Sequence, residues 1–159
     1  MSSLAGDVVD LLRRGNLTLG VVESATGGLV SHLITNVPGC SDVYLGSVTS
    51  YSNDAKVRIV GVSEESISRH GAVSPQVAEE MANGGRRLLG ADVCVADTGI
   101  AGPGGATTDK PVGLFYIGLA HRGGTSHRRH VFSGDREENK QAAAETALAW
   151  VKEYLQGRQ

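Results

Sequence analysis

Val21-Val22-Glu23-Ser24-Ala25-Thr26-Gly27-Gly28, followed directly by Leu29-Val30-Ser31-His32-Leu33-Ile34, sets the reading of this chain. A short apolar run breaks into small residues and restarts at helical spacing, which predicts a strand, a tight corner and a helix. The corner places a hydroxyl where a helix begins. The first turn of a helix carries unpaired N–H groups and a partial positive charge, both suited to a developing oxyanion or a phosphate. Thr26, Gly27 and Gly28 leave room for a ligand to approach, so Ser24 is a candidate nucleophile. The plainer role for a serine at such a corner is a helix cap.

Upstream, Leu4, Val8, Leu11 and Leu12 fall at helical spacing before Gly15 and predict an opening amphipathic helix. Downstream, Asn36-Val37-Pro38-Gly39 stops the corner helix, and Val43 to Tyr51 reads as a second strand. Asn53 can cap a helix carrying Lys56, Val57, Ile59 and Val60 and closed by Gly61; Ser63 opens a shorter one that stops before Gly71. Ser74-Pro75 is a stronger start signal, for a helix running through Val77, Met81 and Leu88 to Gly90. Asp92 to Asp97 is a third strand, followed by the most glycine-dense segment, Thr98 to Thr108. Val112 to Ala120 and Ser126 to Phe132 flank Gly123-Gly124 as a hairpin, and Asp135 caps a final helix through Ala142, Ala149 and Leu155. This alternation predicts an α/β fold: a three-layer α/β/α sandwich with a mixed, mostly parallel sheet and one antiparallel hairpin, with residues 1–159 as a single domain.

Composition narrows the function classes. The 159 residues are 40% hydrophobic but only 4% aromatic, so aliphatic side chains and alanine must build the core, and 22 glycines imply tight turns or close backbone approaches. A net charge of -2 without a long run of either sign argues against nucleic acid or an anionic membrane as partner. No leader or membrane span is evident, so a cytoplasmic location is expected, with Cys94 as an inert core residue. A homo-oligomer is expected for a small glycine-rich α/β domain. No metal site is expected, because the spacing of His127 and His130 puts them on opposite faces of a strand.

In layered α/β proteins, ligands sit beyond the carboxyl ends of strands. If the three early strands run parallel, Ser24, the Tyr51 to Lys56 segment and the Gly99 to Thr108 loop share one rim. The second hairpin strand would then bring Gly134-Asp135-Arg136 to the same rim. Lys56 can act as a base only when neutral, against an unperturbed pKa of about 10.4. Burial and nearby helix N-termini would lower it, allowing Lys56 to accept the Ser24 proton while Tyr51 relays the proton or orients the pair. The plainer alternative is a solvated lysine and an ordinary strand aromatic. The Gly99 to Gly105 loop can offer N–H groups to a phosphate, although it is not a P-loop: Lys110 is followed by Pro111. Arg136 can grip a phosphate or carboxylate through its planar fork. Cys40 is a rival nucleophile without an evident base.

Glu23-Ser24-Ala25-Thr26-Gly27-Gly28, Val37-Pro38-Gly39, Tyr51-Ser52-Asn53-Asp54-Ala55-Lys56, Gly71-Ala72-Val73-Ser74, Thr98-Gly99-Ile100-Ala101-Gly102-Pro103, Lys110-Pro111-Val112-Gly113 and Gly134-Asp135-Arg136 follow one another along nearly the whole chain. In this order they resemble the C-terminal domain of the competence- and damage-inducible CinA proteins, whose stand-alone members include nicotinamide-nucleotide amidases. The resemblance implies cofactor-free deamidation of nicotinamide mononucleotide to nicotinic acid mononucleotide and ammonia, in pyridine nucleotide salvage. Ser24 matches the family nucleophile, Tyr51 and Lys56 its activating residues, and Arg136 a further active-site arginine. On this basis N–H groups near Thr26, Gly27 and Gly28 are expected to hold the oxyanion. Gly99, Ala101, Gly102 and Thr107, with Arg136, are expected to hold the phosphate or the ring end of the nucleotide. Two local departures stand out: Ala25 where many relatives carry Cys, and glycines shifted by one place in Gly104-Gly105-Ala106-Thr107. The pyrophosphatase-like N-terminal domain of longer members has no counterpart in this sequence, and its metal-dependent activity is not carried over. The rival expectation is a non-catalytic nucleotide-binding or protein-interaction module of the same fold.

Overall fold

In a computed structural model of the chain, which describes residues 2–158, the alternating elements assemble around one five-stranded sheet. The strands are β1 (Leu19–Glu23), β2 (Tyr44–Thr49), β3 (Val93–Gly99), β4 (Leu114–His121) and β5 (Gly124–Val131), in the order β2-β1-β3-β4-β5. β1 pairs in parallel with both β2 and β3, whereas β4 is antiparallel to β3 and to β5. Four strands therefore point one way and only β4 opposes them. This places the carboxyl ends of β1, β2, β3 and β5 on one rim, as the sequence pattern requires.

The helices form the outer layers. α1 (Leu4–Gly15), α2 (Leu29–Thr35) and α6 (Arg136–Gln156) cover one face; α3 (Asn53–Val60), α4 (Glu64–His70) and α5 (Pro75–Leu89) lie on the other. Strand alternation divides the core accordingly. Leu19, Val21, Val93, Val95, Ile117 and Leu119 pack toward α1, α2 and α6, while Val22, Cys94, Ala96 and Ala120 pack toward α5 and Val60. The second face is built from small residues because α5 lies close against it. A Cβ at Gly118 would strike the carbonyl of Ala78, and one at Gly85 would strike Val22.

The element ends follow the expected caps and stops, with differences at α3 and β3. Ser74 accepts from Val77 N ahead of Pro75, and Asp135 forms a reciprocal capping box with Glu138. At α3 the cap is Ser52, which accepts from Ala55 N, rather than Asn53. A serine one residue earlier satisfies the same orphan donor, so Asn53 is freed to face solvent and the cleft. The second difference is that β3 continues through Thr98-Gly99, since both residues still pair with β4. Among the described residues no helix is long and apolar enough to cross a membrane.

Candidate active site

At the carboxyl end of β1 the chain turns through Ser24 to Gly28 before α2 begins at Leu29. Gly27 and Gly28 have φ of 64° and 105°, a region open to glycine and strained for other residues, which is why both corner positions are glycine. Ser24 is buried, at 7% exposure. It is therefore not the cap of α2: that position is Gly28, which has no side chain to offer.

Lys56 comes from the first turn and a half of α3. It is 2% exposed, the bulkiest of the fully buried side chains. Its Nζ lies 2.9 Å from Ser24 Oγ and donates to Ser50 O at 3.0 Å and Tyr51 O at 2.9 Å. Burial lowers the Lys56 pKa below the ordinary lysine value, and the negative charge of Asp97 acts against that shift. Two main-chain carbonyls at the end of β2 thus aim the amine at the serine. A cavity of about 170 Å³ opens onto the pair, lined by Ser24, Ala25, Tyr51, Lys56, Val73 and Gly99 among others.

Tyr51 reaches the pair through its carbonyl. The residue is 59% exposed, and among the described residues its hydroxyl accepts from Arg136 Nη2 at 3.2 Å and makes no hydrogen bond to Ser24 or Lys56. Arg136, at the start of α6, also donates through Nη1 to Gly102 O at 2.7 Å. A second cavity of about 430 Å³, lined by Ala101, Gly102, Pro103, Val112 and residues 134–137, lies on the Arg136 side of this link. Ala101 is held by Asn139, whose Nδ2 donates to the Ala101 carbonyl at 3.0 Å.

The expected oxyanion donors are already engaged. Thr26 N donates to Asp97 Oδ1 at 3.2 Å, Gly27 N to Ser24 O at 3.0 Å, and Gly28 N to Glu23 Oε1 at 3.2 Å. Glu23 also accepts from Val30 N and Ser31 N, so an internal carboxylate fills the N-terminus of α2. In contrast, Ala25 N makes no hydrogen bond among the described residues, and Ala25 lines the cavity. Thr107 is also displaced from its expected role: its N and Oγ1 close a turn with Lys110, on an exposed loop. Cys40 sits in a 3-10 turn before β2 and does not line the serine cavity. Burial pushes the Cys94 thiol up to about 12, consistent with an inert core residue.

Sequence reasoning missed two buried acids beneath the corner, Glu23 and Asp97, at 0% and 1% exposure. Each closes an apolar strand run, and an acid in such a run is itself a signal, because a carboxyl is rarely buried without a specific partner.

This arrangement of serine, buried lysine and glycine-rich rim can be set beside known proteins. A sequence model described as the CinA C-terminal domain matches residues 1–155. The chain belongs to the CinA C-terminal domain family. A CinA-like protein of Thermotoga maritima is 45% identical over 152 residues, 96% of this chain and 37% of the relative. One from Salinibacter ruber is 51% identical over 146 residues, covering 92% and 35%. The chain thus spans about a third of the length of these CinA-like relatives. Among solved structures, competence damage-inducible protein A (ComA) from Klebsiella pneumoniae superposes with a TM-score of 0.95 at 32% identity, covering 98% of this chain and 97% of that one. The competence/damage inducible protein CihA from Agrobacterium tumefaciens gives 0.85 at 38% identity, with 95% and 97% covered. The CinA-family fold therefore extends over nearly the whole chain.

Proposed function

We propose that this CinA-family chain is a serine-lysine amidohydrolase that deamidates nicotinamide mononucleotide. The observation that carries this reading is the buried Lys56 Nζ 2.9 Å from Ser24 Oγ, fixed from behind by two carbonyls. A neutral amine has two N–H groups and one lone pair. The N–H groups match Ser50 O and Tyr51 O, which leaves the lone pair for the serine proton. Lys56 takes that proton and Oγ bonds to the carboxamide carbon. The resulting oxyanion accepts from Ala25 N, the residue after the nucleophile, in place of the occupied Thr26 to Gly28 donors. The Lys56 ammonium then protonates the leaving nitrogen, ammonia departs, and water activated by the neutral lysine hydrolyses the acyl-enzyme to the acid.

The small cavity suits the amide-bearing end of a substrate. The larger one, reached past Tyr51 and Arg136, suits the ribose phosphate, with Arg136 able to turn its fork to the anion. Ammonia release from nicotinamide mononucleotide by the purified protein tests the reading. Turnover that disappears in Ser24→Ala is expected; saturable nucleotide binding with no ammonia above that control would leave a non-catalytic module instead.

A further inference from the structure

Thr26 Oγ1 stands between two buried carboxyl groups, touching Asp97 Oδ2 on one side and Glu23 Oε1, at 2.7 Å, on the other. One hydroxyl carries one proton, so it can donate to only one of them. The other contact brings oxygen lone pairs together unless that carboxyl supplies a hydrogen of its own. The remaining partners decide which. Glu23 accepts from Gly28 N, Val30 N and Ser31 N, with both oxygens occupied at the N-terminus of α2, the pattern of an ionised carboxylate. Asp97 accepts only on Oδ1, from Ser24 N at 3.4 Å and Thr26 N at 3.2 Å, and turns Oδ2 toward Thr26.

We propose that Asp97 is a positioning residue that works as a neutral carboxylic acid: it donates its proton to Thr26 Oγ1, Thr26 donates to Glu23, and the Ser24 corner is tied down without a second negative charge beside Lys56. Burial, with the Glu23 charge adding to it, raises the Asp97 pKa to about 7. Glu23 of β1 and Lys56 of α3 act on Asp97 through their charges, and Lys140 of α6 brings its Nζ to the Gly27 corner. β4 sets the apolar Ile117 opposite it, and the buried polar residue of α6 at this rim is the neutral Asn139. An ionised Asp97 would hold Lys56 as its ammonium and so withdraw the base.

The functional half of this proposal rests on the amidase reading; the protonation half does not. Asn at 97 reproduces the acid, with its carbonyl accepting from Ser24 N and Thr26 N and its NH₂ donating to Thr26. Gln at 23 cannot replace the carboxylate, because its NH₂ meets a backbone N–H whichever way it is turned. The experiment compares wild type, Asp97→Asn, Asp97→Ala and Glu23→Gln at about pH 6, where Asp97 is to hold its proton. Expected are an infrared carboxylic-acid C=O band in wild type that is missing from Asp97→Asn, and melting of Asp97→Asn no lower than wild type. Asp97→Ala and Glu23→Gln should melt well below both or fail to accumulate. In the amidase assay, the rise of kcat/KM with pH as Lys56 loses its proton should fall at the same pH in wild type and Asp97→Asn, whereas an ionised Asp97 would set the wild-type rise at higher pH, a difference that a merely structural role would not produce. Wild type without the acid band, or Asp97→Asn as unstable as Asp97→Ala, would overturn the proposal. An inactive wild type that still shows the band would overturn the amidase reading alone.

Discussion

Removing Lys56 would do more than remove the proposed base. Its Nζ satisfies two carbonyls at the end of β2 as well as the serine, so Lys56→Ala strips the proposed general base and leaves Ser50 O and Tyr51 O without their donor. A fall in kcat of about 10²- to 10⁴-fold is expected in the ammonia assay, the usual worth of a positioned base. Lys56→Arg should fall as far, because a guanidinium does not deprotonate at working pH. Tyr51→Phe is the contrasting case. The carbonyl that holds Lys56 is kept and only the bond to Arg136 is lost, so KM should rise more than kcat falls; a kcat loss of about 100-fold would restore the phenol as a proton relay. Both outcomes follow from side-chain directions that spacing does not reveal. The sequence marks Tyr51 and Lys56 as neighbours of the cleft, yet the exposure of Tyr51 and its inward carbonyl emerge only once β2 ends at Thr49 and the chain turns.

Elements were easiest to read where chain chemistry is local. Ser74-Pro75 and Asp135 announce α5 and α6, since capping needs only residues within one turn. Asp135→Ala should lower stability by about 1 kcal/mol in urea unfolding, and should raise KM as well because Arg136 leaves the cap directly. The fit of α5 to the sheet is beyond local reading, as it depends on which residues of distant strands face Gly85. There the glycines serve approach rather than turning. Gly118→Ala is expected to cost about 1–3 kcal/mol, since the obstacle is the Ala78 backbone, which cannot rotate aside like a side chain. Displacing α5 would also move Ala72 and Val73, cavity-lining residues just ahead of it, so activity and stability should drop together.

Across the whole molecule, the buried acids link folding to pH. Asp97 has a native pKa raised to about 7 from 3.8, so between those values the native state holds a proton that the unfolded chain releases. Stability from this group therefore falls as pH rises from about 4 to about 7 and levels off above. Melting curves of wild type and Asp97→Asn should converge at the acid end and separate toward pH 8, with the amide variant the more stable by a few kcal/mol. This coupling was out of reach of the sequence because residues 23 and 97 meet only through β1–β3 pairing, whereas the rim itself was legible from strand direction alone. The same sheet order separates the two halves of the proposed reactive pair: Ser24 follows β1, flanked by strands on both sides, while Lys56 of α3 is held by carbonyls just after β2, an edge strand paired with β1 only. An edge strand frays before a central one. In a denaturant series the catalyst should thus fall silent while the single tryptophan, Trp150, in α6 beside β5, still reports a folded protein. Inactivation and unfolding curves would then have different midpoints, and added substrate, by bridging nucleophile and base, would draw them together.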